Sequence, residues 1–456
     1  MKQESPLQLR ITRPYLLLLQ LLSVALLMHF AFALKFLPVQ FGLLLFLNLA
    51  IAFFPENRVL PFISIGVGLT YSLTAYPVLA NHSTIELFVS LGVVFLLIRS
   101  LLTKRHFLEP EQYNALFRYA VFVVYFLTGF HKLNYGFLDP DTSCANDVNY
   151  NLFLIVFGAD FRIPAMGTRL LQAATLFVEL LVPFGLLMRA TRKYAMMVLL
   201  LFHLYLSICC FSNFSSLGLF LLTGAWLTLN KEERVVRLIH AFRVYLFFAV
   251  LSSLIAFVFY HLIGVHYANG MISIPSFAAG VVFATGFLYF GLYLIRETNT
   301  ADTINPIHWK LGVPVLVLFV WGIQSYLGLS NRANLTMFSN LVTDTSRCNH
   351  VIVNTAHTKL FYFEEDNVLI QNASPNLVPI IGKNYRFYSY PFVEFQNRMK
   401  IWSSRLKEPV QLELIYRNKH YQITDLNKNR FAKQEWYYRF LYFRETPLQH
   451  SGKCMW

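Results

Sequence analysis

The sequence predicts an all-α polytopic membrane helix bundle followed by a small, mostly β domain outside the membrane. The chain of 456 residues has only 14% charged residues and contains 44 phenylalanines, whereas a soluble domain carries about a quarter charged residues. Long apolar runs fill residues 1–329, and charges and short alternating runs return from about Ser330. We therefore expect a transmembrane domain over 1–329 and an extramembrane domain over 330–456.

Each membrane span needs about 20 mostly apolar residues. On that basis we expect about nine to eleven spans. The first apolar run lacks a small-residue cleavage site, so we interpret it as a span and not as a signal peptide. The candidates are residues 15–34, 39–54, 59–79, 85–102, 115–135, 168–188, 194–211, 214–229, 243–264, 273–295 and 311–329.

Basic residues cluster in alternate connections, which indicates how a multi-pass protein is oriented. With the N-terminus in the cytoplasm, cytoplasmic connections include the basic segments 189–193 and 231–243, and the opposite side receives few basic residues. An odd number of spans then places the C-terminal domain in a periplasm or lumen. These loops also explain the net charge of +14, so we expect no nucleic-acid partner.

The C-terminal region has alternating runs typical of strands. They are HVIVNTA (350–356), KLFYF (359–363), NVLIQN (367–372) and VQLELIYRNKHYQITDL (410–426), the last of which predicts a hairpin turning at Arg417–Asn418–Lys419. A stretch with helical spacing, PFVEFQNRMKIWSSRLKE, begins at Pro391. We therefore expect a mostly β domain with at least one helix.

Two of the five cysteines predict a disulfide. Cys144, in a long loop after the fifth span, and Cys348 both fall on the side assigned to the outside, where disulfides form in most cells. We expect Cys144 to pair with Cys348, and Cys454 is the alternative partner because sequence does not fix connectivity. Cys209 and Cys210 lie within a span, where packing is the expected role.

Spans five, six and seven each carry an ionisable group on a polar stripe with helical spacing. Ionisable groups inside a span are energetically expensive, so each is a functional hypothesis. The stripes predict either a polar pocket between three helices or polar contacts that hold the bundle together. They are Tyr125, Thr128 and Lys132; Gln172, Thr175 and Glu179; and His203, Ser207 and Cys210.

Each ionisable residue also has a structural interpretation. Lys132 lies about one turn inside the end of its span, so it could extend to the lipid headgroups. Glu179 could be a structural glutamate bonded to a neighbouring helix, and His203 a core histidine. His131, about 100° around the helix from Lys132, is expected to face a different neighbour. Histidine spacing fits no zinc site and no phosphate-binding loop is present, so we expect neither a metal nor a nucleotide.

One stretch, YFLTGFHKLN (125–134), resembles the G-x-x-K-L signature of the vitamin K-dependent γ-carboxylase family, whose membrane part is called the horizontally transferred transmembrane (HTTM) domain. Two more stretches are similar to that family: ELLVPFGLLMRATRKYAMMVLLLFHLYLS (179–207), and TMFSNLVTD (336–344) with CNH after it. The same short signature occurs in smaller membrane families linked to quinone or thiol redox chemistry.

The resemblance implies an integral-membrane enzyme of the lyase class that deprotonates and oxidises a lipid quinol, with Lys132 as the base. His131 or His203 could orient Lys132 or relay its proton, the resemblance leaving open which of the two does so, and Glu179 is the further catalytic candidate. We expect the stripe residues Tyr125, Thr128 and Ser207 to contact the vitamin K-like quinol. In this family the quinol reaction is coupled to carboxylation of a peptide glutamate, so the implied partners are membrane lipid and a secreted or periplasmic peptide.

Two other functions compete with this one. A non-enzymatic scaffold or maturation factor would bind a secreted client through the C-terminal domain. A transporter would use Lys132, Glu179 and His203 as a proton path, but the sequence lacks the paired, Gly/Pro-interrupted helices typical of that class.

Overall fold

The structure is a computed structural model that describes residues 12–32, 38–76, 79–103, 110–158, 161, 163–209, 211–226, 232–258, 274–297, 309–406, 410–429, 431, 433–448 and 454.

Helices fill the first two thirds of the chain because apolar runs long enough to span a bilayer satisfy their backbone hydrogen bonds internally. In chain order they are α1 (Arg13–Phe32), α2 (Pro38–Phe53), α3 (Val59–Ala75), α4 (Asn81–Thr103), α5 (Pro110–His131), α6 (Tyr135–Leu138), α7 (Cys144–Phe157), α8 (Ala165–Leu176), a π-helical segment (Phe177–Leu181), α9 (Val182–Leu187), α10 (Arg192–Ile208), α11 (Ser212–Trp226), α12 (Glu232–Phe257), α13 (Ile274–Glu297), α14 (Trp309–Gly322) and α15 (Gln324–Leu327).

Every predicted span overlaps helical structure over the described residues, but 168–188 is divided between α8, the π-helical segment and α9, and 311–329 between α14 and α15. Among those residues, five stretches are long and apolar enough to cross a membrane: Arg13–Phe32, Asn81–Ile98, Ala165–Leu187, Arg234–Phe257 and Ser276–Glu297. Shorter apolar helices cover Pro38–Phe53, Val59–Ala75 and Gly312–Gly322. The predicted all-α membrane bundle is confirmed, and the number of nine to eleven crossings stays a prediction.

The first helix lies at the centre of the bundle. In α1, 89% of the span is buried, and the helix packs against α2, α3, α11 and α12. Large apolar side chains instead point outward from the peripheral helices, among them Phe46, Phe95 and Phe247. Such outward phenylalanines are typical of helices surrounded by lipid, where no hydrophobic penalty attaches to the outer face.

The predicted long loop after the fifth span is largely helical, so that expectation was wrong. Asn134 begins α6, where its side chain accepts a hydrogen bond from the backbone N–H of Phe137 at 2.9 Å. The longer α7 then carries Cys144 at its first position and packs against α8. A helix of 14 residues is too short to resemble a span, which is why sequence length alone did not reveal it.

The C-terminal region contains a five-stranded antiparallel sheet in the order β4–β3–β1–β2–β5. Its core is a separate hydrophobic cluster that includes Phe395, Trp402 and Leu412. The small sheet domain at the C-terminus is therefore confirmed. Its elements are α16 (Thr355–Thr358), β1 (Asn367–Ala373), α17 (Val378–Ile381), β2 (Tyr388–Pro391), α18 (Phe392–Arg405), β3 (Leu412–Tyr416), β4 (Lys419–Ile423) and β5 (Thr446–Pro447).

The predicted hairpin and helix both form. In the β3–β4 hairpin, Tyr416 pairs with Lys419, and the two residues of the turn, Arg417 and Asn418, have φ of 49° and 60°. Positive φ at both positions is the pattern of a type I′ turn, one of the two favoured two-residue hairpin turns, and Asn adopts it more readily than most residues. The helix after Pro391 is α18.

Two predicted strands do not form. HVIVNTA makes one isolated bridge, between His350 and Asn134, and then enters α16. KLFYF has no strand, because the backbone N–H groups of Leu360 and Phe361 donate to the carbonyl of Leu327 at the end of α15. Both segments use their backbone to attach the C-terminal region, residues 330–456, to the bundle instead of joining the sheet. We call this region the tail.

The predicted Cys144–Cys348 disulfide is wrong. Cys144 is bonded to Cys454, with a Cα–Cα separation of 4.7 Å, and Cys348 is free. The Cys348 thiol donates within its own turn, to the carbonyl of Val353 at 3.4 Å. Cys454 instead packs beside Cys144 in a small buried cluster with Phe137.

This pairing predicts that Cys144→Ser and Cys454→Ser destabilise the oxidised protein equally, by about 2–5 kcal/mol, because each opens the same long loop. Cys348→Ser should change the unfolding free energy by less than about 0.5 kcal/mol. Thermal unfolding of the three variants without reductant gives the comparison. Alkylation of Cys144 in the unreduced wild type would contradict the assignment.

A buried histidine joins the tail to the end of α5. His350 Nδ1 accepts from the backbone N–H groups of Ile352 and Val353 at 3.1 and 3.0 Å, so Nε2 carries the proton and donates to the carbonyl of Phe130 at 3.0 Å. Burial lowers the pKa of His350, against the opposing effect of the bond to Phe130. The neutral imidazole therefore fits this junction and the imidazolium does not.

Acidification should weaken the junction. Because the folded-state pKa of His350 is lowered, the unfolded chain binds the proton more readily, and the unfolding free energy should fall as the pH drops below about 6.5. The variant His350→Phe should be less stable than the wild type at about pH 8 and lose part of this dependence. Thermal unfolding across that pH range measures both effects, and parallel curves for the two proteins would contradict the assignment.

Candidate functional site

The centre of the site is a buried ion pair between α5 and the π-helical segment. Lys132 Nζ donates to Glu179 Oε2 at 2.7 Å, and the two residues are only 3% and 7% exposed. Lys132 also approaches the carbonyl of Thr128 at 3.4 Å. The lysine thus points into the protein, towards the glutamate, and does not extend to the lipid headgroups.

The backbone around Glu179 explains how the two helices approach so closely. Glu179 lies in the π-helical segment between α8 and α9, and such single-turn π segments are frequent at functional sites. A Cβ on Gly129 would lie 2.9 Å from the Glu179 Cβ and 2.8 Å from Leu180 Cγ. The glycine of the G-x-x-K stretch therefore gives the glutamate-bearing segment room beside Lys132.

A second polar pair lies deeper along α5. The Tyr125 hydroxyl is hydrogen-bonded to His203 Nε2, which joins α5 to α10. The ring of His203 lies against α11, where a Cβ on Gly218 would come within 2.3 Å of Nε2. Since seven residues separate Tyr125 from Lys132, the two polar pairs are about 10 Å apart along the helix.

Both pairs line one cavity of about 100 Å³. A polar cavity holds one water molecule in about 10–15 Å³, so this one has room for several waters or a small ring. Its walls are mainly aromatic and aliphatic, with polar side chains at a few positions. The aromatic residues on the walls are Tyr125, Phe137, Phe202, Tyr205, Phe211, Phe214 and Phe338, and the polar ones include His82, Thr128, Lys132, Asn149, Thr175, Glu179 and His203.

Three of the predicted site residues do not line the cavity. His131 faces another side of α5, as expected, where Nδ1 is hydrogen-bonded to the carbonyl of Leu335 at 3.0 Å. Ser207 donates to the carbonyl of His203 at 2.9 Å, and Gln172 donates to the carbonyl of Phe137 at 2.7 Å. His131 and Gln172 thus join separate segments beside the cavity, and Ser207 bonds within α10. Cys210 lies outside the described residues.

Sequence reasoning missed a further polar cluster beside the cavity. His82 lines the cavity, and its ring lies 4.7 Å from that of His29. His29 Nδ1 is in turn 2.7 Å from Glu86 Oε2, and both residues are buried. The signal was available, because His29 and Glu86 are ionisable groups inside predicted spans, like Glu179.

A segment before the sheet closes the tail end of the cavity. In this cap segment, residues 330–350, Met337 and Phe338 line the cavity, and Phe338 packs against Phe211 at 5.1 Å. Phe338 and Leu335 have φ of 48° and 65°, a conformation that costs about 1–3 kcal/mol in residues other than glycine. The bundle and the tail therefore both contribute walls to the cavity. The contribution of the tail comes from the stretch that includes TMFSNLVTD.

The comparisons with known proteins agree with part of this picture. Residues 109–229 match the family model for the HTTM domain. HTTM domains are found in vitamin K-dependent carboxylase-like membrane proteins. The match covers α5 to α11, hence Lys132, Glu179 and His203, and with the apolar helices it identifies the chain as an integral membrane protein. No curated protein and no solved structure matches the chain.

The ionisable side chains that line the cavity are of types that can transfer protons. Lysine, glutamate, histidine and tyrosine side chains in one poorly solvated cavity can hold, donate or accept protons at fixed positions. Among the described residues, no group of three or more His, Cys, Asp or Glu side chains is arranged to hold a metal ion.

The ion pair predicts a strongly non-additive pair of substitutions. Lys132→Met or Glu179→Leu alone should cost about 3–5 kcal/mol of stability, because each leaves the other charge buried without a partner. The double variant should cost much less than the sum of the two. Unfolding of the four proteins by SDS in detergent micelles gives the comparison, and additive losses would show that the side chains do not interact.

Proposed function

We propose that this protein is a membrane enzyme that removes a proton from a lipid quinol in the cavity beside Lys132 and Glu179. The observation that carries the proposal is the 2.7 Å contact between these buried side chains at the wall of an aromatic-lined cavity. The HTTM match over the same helices supports it. A quinol suits this surrounding because it has a flat apolar ring with hydroxyl groups at opposite ends.

The cavity has the groups that such a ring requires. Aromatic side chains provide apolar walls, and hydrogen-bonding groups lie near both polar pairs. His203 Nδ1 is buried and has no hydrogen-bond partner among the described residues. A buried polar atom without a partner is costly, so a hydroxyl or carbonyl of a bound molecule would satisfy it. When bound, a quinol supplies an ionisable hydroxyl and two electrons, which dioxygen can accept.

The side chains of this chain divide the proton transfer between them. Moving one proton from the Lys132 ammonium to the Glu179 carboxylate converts the ion pair into a neutral amine and a carboxylic acid. The amine then accepts a proton from the hydroxyl, and the ammonium that forms stabilises the negative charge that develops beside it. Lys132 thus acts as the base and Glu179 as the group that holds its proton.

The polar groups on the other walls have positioning roles. His203, hydrogen-bonded to Tyr125, would orient the far end of the ring. His82, with His29 and Glu86 behind it, provides a second place where a proton can be held at the cavity wall. In the proposed orientation the N-terminus is cytoplasmic and the tail is periplasmic or lumenal, where a secreted peptide could meet the oxidised product.

A matched pair of lysine substitutions tests the proposal. Lys359 in the tail makes a similar buried pair, at 2.7 Å from Glu364, but it does not line the cavity. Full-length Lys132→Met and Lys359→Met should both lose stability, because the first leaves Glu179 without its lysine and the second leaves Glu364 and Glu365 without theirs. Only Lys132→Met should lose quinol oxidation, by a factor of about 10²–10⁴. Lys132→Arg should also be inactive, since arginine remains charged.

The assay measures oxygen-dependent oxidation of reduced vitamin K by each protein in lipid nanodiscs, with carboxylation of glutamyl peptides followed in the same samples. Wild-type rates in Lys132→Met would exclude Lys132 as the base. Equal losses in both lysine variants would show that stability alone governs the rate. A wild-type protein without oxidation, whose tail retains a secreted client, would favour the scaffold function instead.

A further inference from the structure

The C-terminal domain is apolar on one side. Large hydrophobic side chains are exposed on two of its segments: Trp436 is 70% exposed, Leu360 69% and Tyr362 59%, and Phe361, Tyr437 and Phe440 are also exposed. We call these six residues the seam patch. Single exposed apolar residues are ordinary, but contiguous ones mark a surface that binds something.

Aromatic packing makes the patch continuous. Phe363 stacks on Phe361 with ring centroids 6.0 Å apart and lies 6.3 Å from Tyr437, so it connects the two segments. Trp436 in turn lies 5.9 Å from Tyr437 and 6.2 Å from Phe440. The segments are held in place by packed rings, and the exposed side chains therefore form one surface.

The patch adjoins the end of the membrane bundle. Phe440 lies 6.2 Å from Tyr76, the residue after α3, and Tyr76 lies 6.3 Å from Trp321 in the last turn of α14. On the other segment, Leu360 and Phe361 donate their backbone N–H groups to Leu327. The seam patch is thus continuous with the ends of apolar helices whose outer faces meet lipid.

Elsewhere the exposed surface of the domain is mixed, with polar side chains beside single apolar ones such as Phe387, Ile401 and Leu448. On α18, Lys400, Ser404 and Arg405 are exposed. On the edge strand β4, Lys419 and His420 are exposed. Among the exposed aromatic side chains that the structure describes in this domain, five belong to the seam patch and Phe387 lies outside it. The distribution is that of a surface which meets lipid on one side and water on the other.

We propose that the seam patch inserts into the lipid interface of the leaflet on the tail side of the membrane. Trp and Tyr prefer this interface because their rings are apolar and their N–H or O–H groups can still reach water. Each ring that enters the headgroup region is removed from water, and the patch then fixes the height and tilt of the tail over the bundle. The cap segment, which belongs to the same tail and closes the cavity, is held with it.

Quenching by brominated lipids tests the insertion. The full-length protein is placed in nanodiscs that contain phosphatidylcholine brominated near the headgroup end of its acyl chains. The signal of Trp436 is obtained as the difference between wild type and Trp436→Phe. We expect brominated lipid to lower this signal at least about twofold and aqueous iodide to have little effect, as for an interfacial ring.

Introduced tryptophans give an independent measurement with a matched control. In the Trp436→Phe background, Leu360→Trp places a reporter in the seam patch. Ile401→Trp places one on α18, at a position 40% exposed and about 12 Å along the helix from Val393, which packs beside Leu329 near the bundle. The Leu360→Trp reporter should respond to brominated lipid, and the Ile401→Trp reporter to iodide.

Other results would overturn the proposal. If iodide quenches Trp436 and brominated lipid does not, water covers the patch. If neither quencher lowers the Trp436 signal, but iodide lowers it in nanodiscs that hold a single copy of the protein, a second copy of the chain covers the patch. Neither result bears on Lys132, so this experiment and the quinol assay fail separately.

Discussion

The helices around the site are shaped to accommodate a buried ion pair. Lys132 and Glu179 lie 2.7 Å apart in an apolar bundle, where a single charge would cost several kcal/mol and a pair is tolerated only with good geometry. That geometry needs Gly129 on one helix and a π-helical turn on the other. A pair kept at this cost is a weak source of stability, so we attribute it to function.

The tail and the bundle depend on each other through this site. The two residues before Lys132, Phe130 and His131, are hydrogen-bonded to His350 and to the carbonyl of Leu335. Asn134, two residues after it, bonds to the carbonyl of Ser339 and caps α6. The end of α5 is therefore fixed by contacts from the tail, and the cavity wall includes residues from both parts. Substitutions at this junction should therefore affect the Lys132–Glu179 ion pair although the substituted residues do not contact it.

Much of the fold could be predicted from sequence because membrane helices need only length and hydropathy. The stripe spacing also placed Tyr125, Thr128, Lys132, Glu179 and His203 where one cavity collects them. What failed depends on three-dimensional contacts that local patterns do not contain. The cysteine pairing joins residues 310 positions apart. The backbone N–H groups of KLFYF donate to Leu327 and not to a neighbouring strand. The helix α7 is too short to be recognised as a span. The cluster of His29, His82 and Glu86 was missed although the rule that found Glu179 applies to it.

The proposed function requires a quinol ring to bind in the cavity against Lys132. The most direct measurement is a cryo-electron microscopy map of the full-length protein in nanodiscs with reduced vitamin K under anaerobic conditions. We expect ring density between the walls formed by Phe202 and Phe338, with an oxygen within about 3 Å of Lys132 Nζ. Quinol density confined to the lipid-facing surface, with Lys132 and Glu179 still paired and the cavity empty, would contradict it.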